Sequence, residues 1–466
     1  MKVTSGGRTV DAIVVMVRSD RVVAVLPSNT PVGDATLTVT VNGQTSAPVS
    51  FKVVRSAFGI FALNQAGSGP GVLVNTATNT PVTFVAAAQP GEALDIWGTG
   101  LGPVSWDETK EPPEDFLSHQ LDAEVIVGGK SAQVVYAGRS GCCAGIDQVR
   151  FIVPEGISGC SVPVVVKTGN VLSNYTTIAI AREGRVCSDP SGFSAAELEA
   201  ATANGGLRIA TVILSRVDLK YEIPGAPPAR VFTESGVGTF HDMPVSQLIA
   251  SQAYAGTTSL ESCYVYQFRG QDSSITDPVS GTPLDAGPAI LVRGPKGVKN
   301  IPVRSVGTYT EVLGGDGRPE FLDPGTYEID NGPGGTAVGP FRATIQLPQL
   351  LNWANQASIS TVTRSEGQTI TWTGGDPNGT VMIVGTAFTG EGLNLVGASF
   401  VCREQASAGQ FHIPSSVLLA LPATDGNIPG MLVVGNSTNP VRFQATGLDV
   451  GYLGHTDLSG KSVHYK

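Results

Sequence analysis

The sequence predicts an all-β chain: a tandem array of β-sandwich modules with one short linker helix. Three observations carry this expectation. First, the chain writes one stretch twice. Residues 22–53 (VVAVLPSNTPVGDATLTVTVNGQTSAPVSFKV) align with residues 149–180 (VRFIVPEGISGCSVPVVVKTGNVLSNYTTIAI). Pro27 falls on Pro154, Gly33 on Gly159, Gly43 on Gly169 and Ser46 on Ser173. A repeated β-rich unit marks a modular array. Second, 58 Gly and 31 Pro lie between apolar β-branched runs along all 466 residues, so they punctuate strands and do not mark a low-complexity tract. Third, charged residues make up only 15% of the chain, and few Lys and Glu beside many Thr, Ser and Val is a strand-building composition.

The first unit, 1–54, matches only the rear half of the repeat. Gly6-Gly7 aligns with Gly128-Gly129, while ALDIWGTGLGP (93–103) in the second copy has no counterpart in the first. The expectation is a truncated module at the head of a chain that is the tail of something longer. Its apolar strand faces would then need cover from the second module, from a partner chain or from upstream residues. Strands are expected at 12–17, 22–26, 35–41 and 49–54. Asn42-Gly43 supplies a hairpin turn between the last two. A Gly/Asn-rich connector covers 55–80. A complete module follows at 81–182, with strands at 83–87, 93–97, 123–127, 133–136, 149–153, 162–168 and 174–181. Its acidic loop DETKEPPED (107–115) reads as a solvated excursion.

The linker spans 183–205. Within it, Ser194 three residues before Glu197 makes a capping box, and SAAELEAATANGG ends on glycines, so one helix is expected over 194–204. A third β module is expected at 206–348, with strands at 209–215, 262–268, 289–292, 325–329 and 342–346. A fourth covers 349–466, with strands at 358–364, 369–373, 381–387, 398–403, 431–436 and 441–445. Turns every 8–12 residues between alternating strands point to sandwiches throughout.

The six cysteines, Cys142, Cys143, Cys160, Cys187, Cys263 and Cys402, contain no CxxC, and the five histidines are scattered, so zinc-site spacing is missing. An even count in a β-rich chain suits disulfides and an oxidising compartment. Cys263 and Cys402 are the last two cysteines, in the apolar strand contexts SCYVYQF and SFVCRE, and are expected to pair. Strand direction pairs Cys160 with Cys187: Cys160 sits at the turn between 149–153 and 162–168, and 174–181 returns to that end. Cys142 and Cys143 lie at the opposite end, ~17 Å away at about 3.3 Å per strand residue, so they are expected to bond to each other. They fall where the second copy is longer, 25 steps from Gly129 to Pro154 against 20 from Gly7 to Pro27.

A formal net charge of −10 gives no electrostatic grip on phosphate, which argues against nucleic acid as a partner. No stretch is long and apolar enough for a membrane helix. GTGLGP (98–103) follows a strand like a dinucleotide loop, but Pro103 and PVSWDETKEPP replace the helix such a loop needs. It reads as a tight turn, and no cofactor is expected. Asp107, Glu108, Glu111, Glu114 and Asp115 cluster, yet a loop with two prolines does not hold a glycosidase carboxylate pair. Asp316, Glu320 and Asp323 in GGDGRPEFLD are weak candidates for a structural metal ion, without EF-hand spacing. No G-x-S-x-G exists, and Ser215, Ser262 and His241 form no recognisable triad. Trp97, Trp106, Trp353 and Trp372 read as packing residues, with one sugar-stacking platform as the functional alternative.

GTGLGP, VIVGGKSAQVVYAG and the 149–180 segment together resemble bacterial TIG/IPT modules, which are immunoglobulin-like sandwiches. The arrangement is similar to an uncharacterised family of secreted soil-bacterial multidomain proteins. The resemblance covers about 1–182; CSDPSGFS and GQFHIPSSVLLALP carry it weakly into the remainder. It implies export, no catalytic residues, and an accessory, binding or structural role. The expected function is a non-enzymatic secreted or cell-surface array for adhesion, scaffolding or ligand binding. Its partners would be a protein or glycan at a cell surface, or neighbouring copies of itself, with the export signal upstream of Met1. The alternatives are the non-catalytic tail of a longer exported enzyme and a fibre subunit completed by strand donation.

Overall fold

The two copies of the repeat fold alike. The computed structural model describes residues 1–65, 67–189, 192–222, 225–250, 258–269, 281–424 and 428–466; two residues of CSDPSGFS lie outside them. In the first unit, Lys2–Ser5 pairs with Arg8–Asp11 and with Gly33–Thr38, which pairs in turn with Val49–Val53. Ile13–Val17 and Val22–Val25 make a separate ribbon. In the second unit, Glu124–Val127 pairs with Lys130–Arg139 and Gly159–Thr168, and Gly159–Thr168 with Thr176–Ile180. Lys130–Arg139 also pairs with Asp147–Ile152. The pairing order is the same, with Lys130–Arg139 of the second unit divided into Arg8–Asp11 and Ile13–Val17 in the first. Asn42 and Gly43 both take positive φ (50° and 78°) in the expected hairpin, the conformation that the favoured two-residue turn requires.

The units differ in what covers them. In the second, Ala93–Thr99 lies between Leu73–Asn75 and Asp147–Ile152 and closes the sandwich. Leu94 and Ile96 enter a core with Val125, Phe151, Val162 and Ile180, all essentially inaccessible. Gly98 continues this strand where a Cβ would stand 2.3 Å from the Gly59 carbonyl oxygen and 2.5 Å from the Phe58 ring. The glycines of GTGLGP therefore serve close backbone approach as well as the turn at Gly100 (φ +95°). The first unit gathers only Val3, Val10, Ala35 and Val53 into a buried cluster.

A buried ionic joint ties these two units. Arg139 pairs with Glu108 (2.9 Å) and Asp147 (2.7 Å) and donates to the Gly102 carbonyl. The other oxygen of Glu108 accepts from the Ser28 backbone N–H of the first unit at 2.8 Å. This corrects the picture of 107–115 as a purely solvated loop: Glu108 is drawn inward because a buried guanidinium needs carboxylate partners.

The helix is Ala195–Asn204, with both bonds of the capping box formed by Ser194 and Glu197, and Gly205 in the left-handed conformation at its end. It is not a free linker. Leu198 and Ala201 are buried with Phe84, Cys187, Leu207 and Tyr452, and Glu197 holds Arg442 (3.0 Å) and the Tyr452 hydroxyl (2.9 Å). Two shorter helices, Val245–Ala250 and Ser415–Leu419, were not foreseen. Among the described residues no helix is long and apolar enough to cross a membrane.

Residues beyond 205 do not divide into two separate modules at 348. One 15-stranded sheet runs through both. Gly206–Tyr221 and Ala229–Pro244, each 16 residues long, pair along their whole length. The last strand, Val450–Tyr465, runs parallel to the first of them and antiparallel to Gly430–Ser437. Two cores flank this sheet. One gathers residues such as Val212, Phe240, Tyr309 and Ile329 with Phe443 and Leu453. The other gathers Trp353, Trp372, Phe400 and Tyr465 with Cys263, Tyr264 and Val265. The Ser262–Arg269 strand, expected in the third module, thus belongs to the packing of the fourth. It pairs with Val396–Gln405, where Cys263 stands opposite Cys402, and those two cysteines are bonded.

Cys160 is bonded to Cys187. The strands 149–153 and 162–168, expected to run side by side, are separated by Lys130–Arg139 and Glu124–Val127; the pairing of Gly159 with Ile180 brings the two cysteines together. Cys142 and Cys143 are free and exposed, contrary to the vicinal bond expected. Adjacent trans residues hold their Cα atoms about 3.8 Å apart, closer than disulfides favour. The loop is already closed by Ser140 N–H to the Ile146 carbonyl and Ile146 N–H to the Cys143 carbonyl.

The long parallel pair buries opposed titrating groups. Burial pushes Asp457 up from 3.8 to about 6, against the Leu351 N–H and the Arg216 charge. Burial, then the Arg216 charge, pushes His455 down from 6.5 to about 4, and neither of its ring nitrogens has a hydrogen-bond partner. A raised carboxyl contributes stability below about pH 4 that is lost as pH rises through about 6; a depressed imidazole contributes stability above about pH 6.5 that is lost as pH falls through about 4. The windows coincide and the slopes oppose, so stability is expected to vary little with pH from this pair. In Asp457→Asn the histidine slope stands alone. Urea midpoints of that variant are expected to climb from pH 4 to 6.5, by at most roughly 3 kcal/mol in stability, and a flat profile would refute the assignment.

Candidate binding cleft

A cleft of about 450 Å³ opens between the second unit and the C-terminal body. One wall is the tip of the second unit. There Gly169 (φ +58°) and Asn170 turn the chain between paired Thr168 and Val171. Asn174 fixes the adjacent loop: its Nδ2 donates to the Ile60 and Gly67 carbonyls (2.9 and 2.7 Å), and its Oδ1 accepts from the Ile60 N–H (2.7 Å). Ser173 Oγ accepts from the Val166 N–H at 2.9 Å. The other wall is the Ser262–Arg269 strand, which forms one edge of the large sheet, with Leu419 and Ala420 beside it.

Side chains two apart on a strand share a face, so Tyr264, Tyr266 and Phe268 lie in one row that runs from core to opening. Tyr264 is fully buried. Its hydroxyl accepts from the Gly69 N–H (2.8 Å) and donates to the Tyr175 carbonyl (3.1 Å), and the two tyrosine rings meet edge to face at 6.1 Å. Burial pushes the Tyr264 phenol up to about 12, so it stays a neutral donor. Tyr266 is 39% exposed, with its ring centroid 6.5 Å from that of Phe268. The Phe268 ring lies over Gly397, where a Cβ would stand 2.2 Å from it. Gln267 Nε2 reaches the Ala420 carbonyl at 3.3 Å.

The cleft thus presents an aromatic ring, amides and hydroxyls. Its walls are locked by the Tyr264 bonds, by Val165 and Tyr175 of the second unit entering the C-terminal core, and by the Cys263–Cys402 bond. Such a set binds by stacking and hydrogen bonding.

The sequence-derived candidates lie elsewhere and do not converge. Glu320 pairs with Arg216 at 3.0 Å, Asp323 with Lys296 at 2.8 Å, and Asp316 sits in a turn at φ +52°. Among the described residues no three His, Cys, Asp or Glu side chains stand where they could hold a metal ion. In the acidic loop Asp107 faces Lys110 and Asp115 faces His119, while Glu108 belongs to the joint. Trp353 and Trp372 are core residues whose indole N–H groups donate to Asn355 Oδ1 (3.0 Å) and the Ala406 carbonyl (2.8 Å). Trp97 and Trp106 are half-buried. The exposed aromatic of the cleft is Tyr266, which sequence reasoning passed over. The period-two run of aromatics in CYVYQF, ending on an exposed strand edge, was the available signal.

Tyr264→Phe removes the hydroxyl that serves Gly69 and Tyr175 and leaves both backbone groups buried without it. A loss of about 1–3 kcal/mol in urea denaturation is expected, with faster amide exchange at Gly69; unchanged exchange there would show that the cleft wall does not depend on this bond.

Neither the family models nor the curated proteins contain a match to this sequence. Among solved structures, the chain is similar to SGBP-B of the Bacteroides ovatus mixed-linkage glucan utilization locus, solved with a mixed-linkage heptasaccharide. The identity is 9%, over 89% of this chain and 86% of that one, with a TM-score of 0.16. It is also similar to dimeric latent PorU from Porphyromonas gingivalis, at 10% identity over 86% of this chain and 34% of that one, TM-score 0.16. A three-immunoglobulin fragment of titin matches at 8% identity over 82% and 95%, TM-score 0.12. The chain is an all-β assembly of immunoglobulin-like sandwich character, and that statement rests on its own strands and cores.

Proposed function

We propose that this chain is a non-enzymatic binding and scaffolding protein of the cell exterior, and that it holds a neutral, hydroxyl-rich ligand, a glycan, in the cleft beside Tyr266. The observation that carries this reading is the cleft itself. An exposed tyrosine ring lines the same cleft as Asn170 and Ser68, on walls locked by buried tyrosines and a disulfide. Sugars present apolar C–H faces to aromatic rings and hydroxyls to amides, and a preformed cleft spares the ligand the cost of ordering its site. Glu108, Asp95 and Glu234 are held by the guanidinium groups of Arg139, Arg150 and Arg216, which supports a structural use for these carboxylates. Two disulfides support an oxidising compartment.

Affinity electrophoresis through gels containing soluble polysaccharides, followed by calorimetry with the matching oligosaccharide, tests the reading. Retardation by at least one neutral polysaccharide is expected. Tyr266→Ala is expected to weaken binding about tenfold or more, on the scale of one lost stacking contact, without changing the denaturation midpoint. Retention of full affinity in that variant would move the site elsewhere, and release of reducing ends from the bound polysaccharide would show an enzyme.

A further inference from the structure

Among the described residues, nine of the 24 exposed large hydrophobics, including Val15, Val17, Val23, Val32 and Val49, fall within residues 1–54. The first unit therefore carries far more open apolar surface than its share of the chain. They are not scattered singly. Val15, Val23, Leu26, Phe51 and Val54 line a groove of about 700 Å³ that ends against Gly100 and Gly145 of the second unit. Contiguous apolar surface beside an unpaired strand edge marks an interaction site.

The second unit shows what such a groove takes. Val22, Ala24 and Val25 correspond to Val149, Phe151 and Ile152 in the repeat. Asp147–Ile152 pairs on one edge with Lys130–Arg139 and on the other with Ala93–Thr99. Val22–Val25 pairs with Ile13–Val17 alone. In the second unit Ile96 stands opposite Val149 and Leu94 opposite Phe151, all four buried. Between them Asp95 stands opposite Arg150 and grips it through two bonds of 2.8 Å. The first unit has Val23 in place of that arginine, 42% exposed.

We propose that the free edge of Val22–Val25 is an acceptor for an extended polypeptide strand in antiparallel register, with apolar side chains opposite Val22 and Ala24 and an uncharged residue opposite Val23. The partner is a peptide segment, recognised by main-chain hydrogen bonds along the edge and by apolar side chains that pack against Ala24, Val25 and Leu26 in the groove. The second unit already makes this interaction within its own chain, and the first presents the same edge without it, with Ala24 in place of Phe151 on the inner face. The inference does not depend on the glycan reading, because the two sites share no residue.

The test uses the whole chain and a synthetic peptide of residues 92–101 carrying Asp95→Val, followed by hydrogen exchange. At saturating peptide, amide protection across 13–25 is expected to rise at least tenfold. A scrambled peptide, or one N-methylated on alternate backbone nitrogens of the pairing edge, is expected to give none. The parent peptide with Asp95 is expected to bind about tenfold more weakly, because its carboxylate meets valine instead of arginine. Val23→Lys places a charge on the exposed edge and is expected to abolish the protection while circular dichroism stays unchanged. No protection at millimolar peptide, or protection confined to other segments, would overturn the proposal. So would full protection of 22–25 in dilute monomer without peptide. Concentration-dependent protection without peptide, with dimers in sedimentation, would make the occupant a second copy and equally overturn it.

Discussion

Parallel pairing of Gly206–Tyr221 with Val450–Tyr465, from Ile209 opposite Val450 to Lys220 opposite Lys461, is the constraint on which the C-terminal half depends. The last strand is held on both sides, by the Gly206–Tyr221 strand and by Gly430–Ser437. It therefore closes a chain segment of more than 200 residues within one sheet. Such long-range closure is costly to form and rewards the chain only once both ends are in place. Everything downstream of the linker is positioned by it. Phe443 and Leu453 enter one core and Val463 and Tyr465 enter the other, so neither core is complete without the final strand.

The same constraint explains the burial of charge at Arg216. It pairs with the fully buried Glu234 at 2.8 Å and with Glu320, and its guanidinium lies 4.7 Å from the Phe232 ring. A hydrophobic cluster of equal volume would serve stability as well or better. What the ions add is register. A slip of one residue between Gly206–Tyr221 and Ala229–Pro244 would turn Arg216 and Glu234 to opposite faces and leave two buried charges unpaired. The two 16-residue strands pair without a break, Arg216 opposite Glu234.

What was legible in the sequence was local. The Asn42-Gly43 turn, the Ser194/Glu197 capping box and the strand alternation of the repeat each depend on residues within a few positions, and each appears as expected. The pairing of Cys263 with Cys402 was legible because elimination left few partners. What failed was assignment across distance. Ser262–Arg269 carries no mark that sends it to the fourth core, since an edge strand and a central strand share one apolar pattern. Glu108 looked like its solvated neighbours because its partner, Arg139, lies 31 residues on. The helix looked like a linker because only Leu198 and Ala201 are buried on it, too few to announce a packed face. The cleft was hidden for the same reason: Tyr264 is buried among residues distant in the chain, Tyr175 of the second unit included, while Tyr266 stays exposed.

The two copies of the repeat show how far one sequence pattern underdetermines a finished module. Both fold the same strands in the same order, yet one encloses a core of twenty buried residues and the other of four. The difference is not in the shared half, whose inner positions remain apolar in both. It lies in the added layer, where Ala93–Thr99 brings Leu94 and Ile96 over Val149 and Phe151. A sandwich is a two-layer solution, and either layer alone leaves its apolar face to water. The ionic joint at Arg139 and Ser28 holds the first unit to the second without supplying that layer, because ion pairs and backbone bonds fix position while leaving apolar area uncovered. The first unit is thus anchored at one end and open along its inner face, the geometry of a surface that is held ready and not spent on the fold.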